Sequence, residues 1–151
     1  MAIRSVHEHV AQVAGQIENI TVDELKGELT DGDDVLLVDI REIQEVVDRG
    51  TIPGSRHVPR GMLEFWADPA SPYARPYFGE DKRTVLFCAG GLRSVYAAKA
   101  LQDMGFTNVA SLVGGFGAWT SAGEPVQEKA SSSPWVRRPK PSTPASTDSD
   151  D

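Results

Sequence analysis

Two short apolar runs constrain this chain more than anything else in it. "VLLVDI" (residues 35–40) and "TVLFC" (residues 84–88) carry almost no polar residue until their ends. A run this short and this apolar suits a strand covered on both faces, as in a parallel sheet. Parallel neighbours need crossovers, and the intervening sequence supplies helix signals. Thr21 and Glu24 stand three apart in "TVDEL", the spacing of a capping box, which predicts a helix over residues 22–29. "REIQEVVDRG" reads as a short helix stopped by Gly50. Residues 94–104 read as another, with Val95, Ala98 and Leu101 on one face and Gly105 as its stop.

Further strands are expected in "QIENI", near residues 55–58 and in "NVASLVGG". Helical turns are expected over residues 62–67 and in "FGAWTSAG". Strands alternating with helices at these intervals predict an α/β domain with a mostly parallel sheet.

At 151 residues the chain holds one domain plus tails. Residues 1–15 read as an N-terminal helical extension, with Val6, Val10 and Val13 at helical spacing. Residues 16–127 form the domain. Residues 128–151 are rich in Ser, Pro and Thr and end in acid, so they are expected to stay disordered. Within them Trp135, followed by Arg137 and Arg138, is the one feature that could dock onto something, and a linker remnant is the preferred reading.

The net charge of −7 argues against nucleic acid or an anionic membrane as partner. "MAIRSVHEHVAQVAGQ" has no long apolar core, so neither a signal peptide nor a membrane span is expected. A single cysteine excludes an internal disulfide and a CxxC pair, and a free thiol suits the cytoplasm. His7, His9 and His57 lack metal-ligand spacing. No metal and no cofactor is expected, and His57 is expected to make a structural hydrogen bond.

That cysteine, Cys88, ends the second apolar run. In open α/β sheets, sites form beyond the carboxyl ends of the strands. Asp39 ends the first run, so both belong to the same sheet edge. Cys88 is followed by Ala89, Gly90, Gly91, Leu92, Arg93 and Ser94. Gly90 and Gly91 let the backbone curl its N–H groups inward as an anion nest. The following helix contributes its positive end, and Arg93 a fixed charge. Each favours a thiolate, the reactive form. An inert buried cysteine is the competing reading. No Gly-Lys-Ser/Thr follows, so a phosphate-cradling loop fits poorly.

Four stretches together resemble the rhodanese-like domains: "VDIRE" (38–42), "GTIPGSRHVP" (50–59), "CAGGLRS" (88–94) and "NVASLVGGFGAW" (108–119). They stand in that family's order, and the similarity is greatest to the single-domain sulfurtransferase type. It extends to "RGMLEFWADPASPY" after the second motif. The resemblance implies a five-stranded, mostly parallel sheet with helices on both sides. It also implies a two-step reaction. Cys88 takes sulfane sulfur from a small donor such as thiosulfate, and a thiol, a protein sulfur acceptor or cyanide removes it. The main chain of residues 89–94 would hold the persulfide. Cys88 and Arg93 close a six-residue ring, the length of the sulfurtransferases; the related dual-specificity phosphatases carry one residue more.

Asp39 and Arg41 are candidates for the pocket rim or for loop support. For Asp39 a fold-holding role is preferred, because a carboxylate beside the sulfur would oppose its ionisation. Arg41 is placed to attract anionic donors. Met62, Phe65 and Trp66 have core spacing, yet the resemblance sets this segment beside the loop, so Arg60 and Trp66 are candidates for the pocket entrance. A non-catalytic binding or sulfur-carrier module, acting on a protein partner, remains the alternative.

Overall fold

A computed structural model of the chain describes residues 2–137. The elements in chain order are α1 (Val6–Ala14), β1 (Glu18–Ile20), α2 (Val22–Thr30), β2 (Leu36–Asp39) and α3 (Ile43–Arg49). They continue with β3 (Arg56–His57), a 3₁₀ turn (Arg60–Met62), α4 (Leu63–Ala67), β4 (Thr84–Phe87), α5 (Arg93–Met104), β5 (Val109–Leu112) and α6 (Gly115–Ser121). The strands form one sheet in the order β1-β5-β4-β2-β3, and every pairing is parallel.

Local chemistry starts and stops these elements. The capping box of α2 is formed: the Glu24 N–H donates to Thr21 Oγ1 at 3.2 Å and the Thr21 N–H to Glu24 Oε1 at 2.9 Å. Gly105 closes α5 in the left-handed region, with φ of 109°.

Strands β2 and β4 are buried along their whole length, and the pleat sorts their residues onto two cores. Leu36, Val38, Leu86 and Cys88 face α4 and α5, with Leu63, Ala97 and Leu101 behind them. Leu37, Val85, Phe87 and Leu112 face the other way, onto Leu25 of α2 and Phe116 and Trp119 of α6. The α1 helix packs its Val10 and Val13 against Val95 of α5.

Part of the C-terminal stretch expected to lack structure is described, and it lies against α3. Val136 is buried. The Arg137 N–H donates to Gln44 Oε1 at 2.7 Å, and Gln44 Nε2 donates back to the Arg137 carbonyl at 3.1 Å. The buried Val136 side chain, the Gln44 amide that bonds both backbone groups of Arg137, and an ion pair from Arg137 to Asp48 of α3 at 3.5 Å tie this short piece down. Trp135 points to solvent. Arg138 and the rest of the acidic stretch lie outside the described residues. Among the described residues, no helix is long and apolar enough to cross a membrane.

Candidate active site

Cys88 follows directly on β4, in the centre of the sheet, and only 1% of it is exposed. The Gly91 N–H donates to its sulfur at 3.2 Å. Its Sγ lies 3.6 Å from Ser94 Oγ, the thiol donating. Ser94 is in the first turn of α5, so the sulfur sits beside the helix's positive end.

Ser94 Oγ in turn meets Ser111 Oγ at 2.8 Å. Both serines are buried. Ser111 is the one β5 position that breaks an apolar strand on this face, and the pleat turns it toward α5. Cys88, Ser94 and Ser111 thus form a short polar chain inside an otherwise apolar layer. Nothing in the motif pattern pointed to Ser111; the only signal was a hydroxyl inside a buried strand.

The two glycines of the loop behave differently. Gly91 has φ of 93°, and a Cβ there would lie 2.8 Å from the Gly114 nitrogen. Gly90 has neither a positive φ nor a close neighbour. The expected curl therefore comes from one glycine, and Gly90 is an exposed residue of the loop.

The start of α6 holds the loop from behind. The Phe116 N–H donates to the Cys88 carbonyl at 2.8 Å and the Gly117 N–H to the Ala89 carbonyl at 2.9 Å. Gly115 makes this approach possible: its φ is 58°, and a Cβ would run into the Cys88 carbonyl oxygen. The Gly-Gly of the fourth motif thus lets the start of α6 come close enough to clamp the cysteine loop through the Phe116 and Gly117 N–H groups.

Arg93 is not a free charge aimed at the sulfur. Its Nη1 and Nη2 donate to Glu45 Oε2 and Oε1 of α3 at 2.8 and 2.9 Å. The guanidinium holds the Glu45 carboxyl below the usual carboxylate range. The Glu42 N–H, 3.0 Å from Glu45 Oε2, adds to this. Glu45 in turn raises Arg93, with a smaller contribution of the same sign from Cys88. Glu45, unforeseen from the sequence, ties the cysteine loop to α3.

Asp39 and Arg41 are placed differently from a pocket rim. Asp39 pairs in register with Phe87, so it faces the α6 side of the sheet, opposite to Cys88. Both residues are buried, Arg41 to 1% exposure. Arg41 donates from Nε to Asp39 Oδ1 at 3.0 Å and from Nη2 to Asp39 Oδ2 at 2.7 Å. Its Nη2 also reaches the Gly50 carbonyl at 2.6 Å, and Thr51 Oγ1 donates to Asp39 Oδ2 at 2.7 Å. The guanidinium lies over the Phe116 ring, 4.3 Å from its centre. A guanidinium enclosed to this degree, bonded through Nε and Nη2 to Asp39 and Gly50, is not open to donors in solvent; it lies behind the loop, on the Phe116 side of the sheet. His57 bonds through Nε2 to the Arg41 carbonyl at 2.8 Å, a structural contact.

Arg60 is bonded to Glu64 one turn on, at 2.8 Å. Trp66 packs against the α4–α5 core, and the Arg75 guanidinium covers its ring at 4.0 Å. Among the described residues neither bonds to the loop. Trp66 lines instead a cleft with Arg56, His57 and Tyr77. Ala89, Gly90 and Leu92 form the exposed lip of the cysteine loop.

Residues 21–122 match the family described as Rhodanese-like domain. The chain belongs to the rhodanese-like family. Among its relatives, a sulfurtransferase of Allochromatium vinosum is 32% identical over 110 residues, which cover 73% of this chain and 94% of that protein. YrkF of Bacillus subtilis is 29% identical over 122 residues, 81% of this chain, and this rhodanese-like chain spans 61% of its length. A solved structure from Rhodopseudomonas palustris, of unknown function and described as a possible tyrosine phosphatase, is 48% identical. It superposes with a TM-score of 0.78, covering 84% of this chain and 97% of that one.

Proposed function

We propose that this rhodanese-like domain is a sulfurtransferase working through a persulfide on Cys88. The Gly91 N–H on the sulfur, within the six-residue Cys88–Arg93 ring, is the observation that supports this most. The sulfurtransferase relative supports it further.

The Cys88 thiolate attacks the outer sulfur of a donor such as thiosulfate. The new S–S bond forms as the donor's S–S bond breaks, and sulfite leaves with that electron pair. The product is Cys88–S–S⁻. A thiolate or cyanide then attacks the outer sulfur, and Cys88 departs as thiolate, ready for another cycle. Throughout, the Gly91 N–H and the first turn of α5 face negative sulfur, a preorganised electrostatic environment. When the sulfur is ionised, the Ser94 hydroxyl turns to donate to it, with Ser111 behind.

The first step is tested by intact-mass measurement after incubation with thiosulfate. Wild type is expected to gain the mass of one sulfur atom and to lose it on addition of cyanide, with release of thiocyanate. Cys88→Ser is expected to do neither. Absence of the adduct with thiosulfate, mercaptopyruvate and a protein persulfide alike would refute the reading.

The Rhodopseudomonas palustris description favours a second reading, hydrolysis of an aryl phosphate. The short ring argues against it, and turnover of p-nitrophenyl phosphate that depends on Cys88 would reverse the ranking. The sulfur-carrier alternative predicts the adduct without turnover unless a protein acceptor is present. The cytoplasm, with its reducing thiols, is the compartment this chemistry suits.

A further inference from the structure

Outside the cysteine loop, the described residues of this acidic chain form a cationic cleft. It measures about 720 Å³ and lies at the β3 edge of the sheet. Residues 54–57 form one side, Trp66, Arg75 and Tyr77 another, and Gln127 and Lys129 close it. No acidic residue lines it, and neither does any residue of the 88–94 loop.

Its cations come from three separate segments: Arg56 from β3, Arg75 from the loop after α4, and Lys129 from beyond α6. Among the described residues none of the three is paired with a carboxylate, whereas Arg41, Arg60, Arg83, Arg93 and Arg137 all are. In a chain of net charge −7, with 22 acidic residues, leaving three cations together unpaired is the exception. Aromatic rings hold two of them in place. The Arg56 guanidinium lies 4.5 Å from the centre of the Tyr77 ring, and Arg75 lies 4.0 Å from that of Trp66. Stacking fixes the plane of each guanidinium and leaves N–H groups at its edge for a carboxylate, although Arg75 Nη1 is already bonded to the Tyr73 carbonyl at 3.1 Å.

We propose that this cleft docks an acidic peptide segment of a protein partner. Three cations on different walls call for several anionic groups rather than one. The volume exceeds that of a single small anion. The two residues of the edge strand β3, Arg56 and His57, also line the cleft and offer an extended chain something to lie along. The surrounding negative charge repels acidic partners elsewhere, so the cleft orients them. The docking is independent of the sulfur chemistry.

The test is fluorescence anisotropy on the full chain with a labelled tetra-glutamate peptide at low salt. Saturable binding is expected, weakening as salt rises. Arg75→Gln and Lys129→Gln are each expected to weaken it about tenfold, in line with charge-assisted hydrogen bonds. Near-ultraviolet circular dichroism checks that these variants keep their packing. Lys99→Gln, at a lysine paired with Asp103 outside the cleft, is expected to bind as wild type does. So is Cys88→Ser, which separates this proposal from the sulfurtransferase reading. Equal affinity in a folded Lys129→Gln variant would overturn the proposal. Displacement of the peptide by an equal concentration of inorganic phosphate would also overturn it, showing a small-anion site instead.

Discussion

Arg93 and Glu45, 48 positions apart in the chain, meet through two hydrogen bonds of 2.8 and 2.9 Å. This pair joins the cysteine loop to α3. The arginine of the loop therefore acts first as an anchor and only second as a charge near the sulfur.

The pair sets a pH dependence. Glu45 is depressed in the folded protein, chiefly by the Arg93 hydrogen bonds. Its contribution to stability is thus complete above the ordinary glutamate value of about 4.3 and is lost as pH falls through the lower folded value. Carbon-detected NMR titration should place the Glu45 midpoint below that of a free glutamate. Arg93→Ala should move it back up, and an unmoved midpoint would count against the anchor. Both side chains are substantially exposed, so the effect on overall stability is small.

Arg41 should matter to the fold more than to donor binding. Its bond to Asp39 is fully enclosed, and removing one partner leaves a buried charge alone. Arg41→Ala and Asp39→Ala are each expected to cost about 3–5 kcal/mol in urea unfolding. A donor-concentration effect with unchanged stability would instead return Arg41 to the pocket rim.

Ser111 should tune the sulfur without touching it. Ser111→Ala removes the partner that holds the Ser94 hydroxyl at 2.8 Å. Loss of one such bond is worth about 1 kcal/mol, so turnover should fall about fivefold with the donor KM unchanged. Ser111→Thr, which keeps the hydroxyl, should restore most of it. Equal turnover in both would remove Ser111 from the sulfur's surroundings.

Glycine substitutions should separate the loop into parts. Gly90→Ala meets open space and should shift stability by no more than about 0.5 kcal/mol. Gly115→Ala drives a methyl into the Cys88 carbonyl, so it should abolish persulfide loading even where the chain still folds. Intact-mass analysis of both variants, with circular dichroism as the control, checks this.

Much of the fold is legible in the sequence. The α2 helix begins where Thr21 and Glu24 said it should, because a capping box is satisfied within four residues. Strands β2 and β4 fall inside the two apolar runs, because a run this short and β-branched-rich suits a doubly covered strand better than a buried helix. Gly105 ends α5 through its own backbone freedom. The position of Cys88 at a strand end beside a helix start was legible for the same reason: each signal is local.

What the sequence determined by itself was therefore the order of elements, the placing of Cys88 beside the start of α5 and the membership of a family. The tertiary structure alone decided that Asp39 and Cys88 face opposite sides of the sheet. It alone gave Arg93 to Glu45, set Phe116 between Arg41 and the Cys88 carbonyl, and gathered Arg56, Arg75 and Lys129 into one cleft. Those relationships join residues far apart in the chain, and pleat direction and long-range packing carry no mark in a local run of residues.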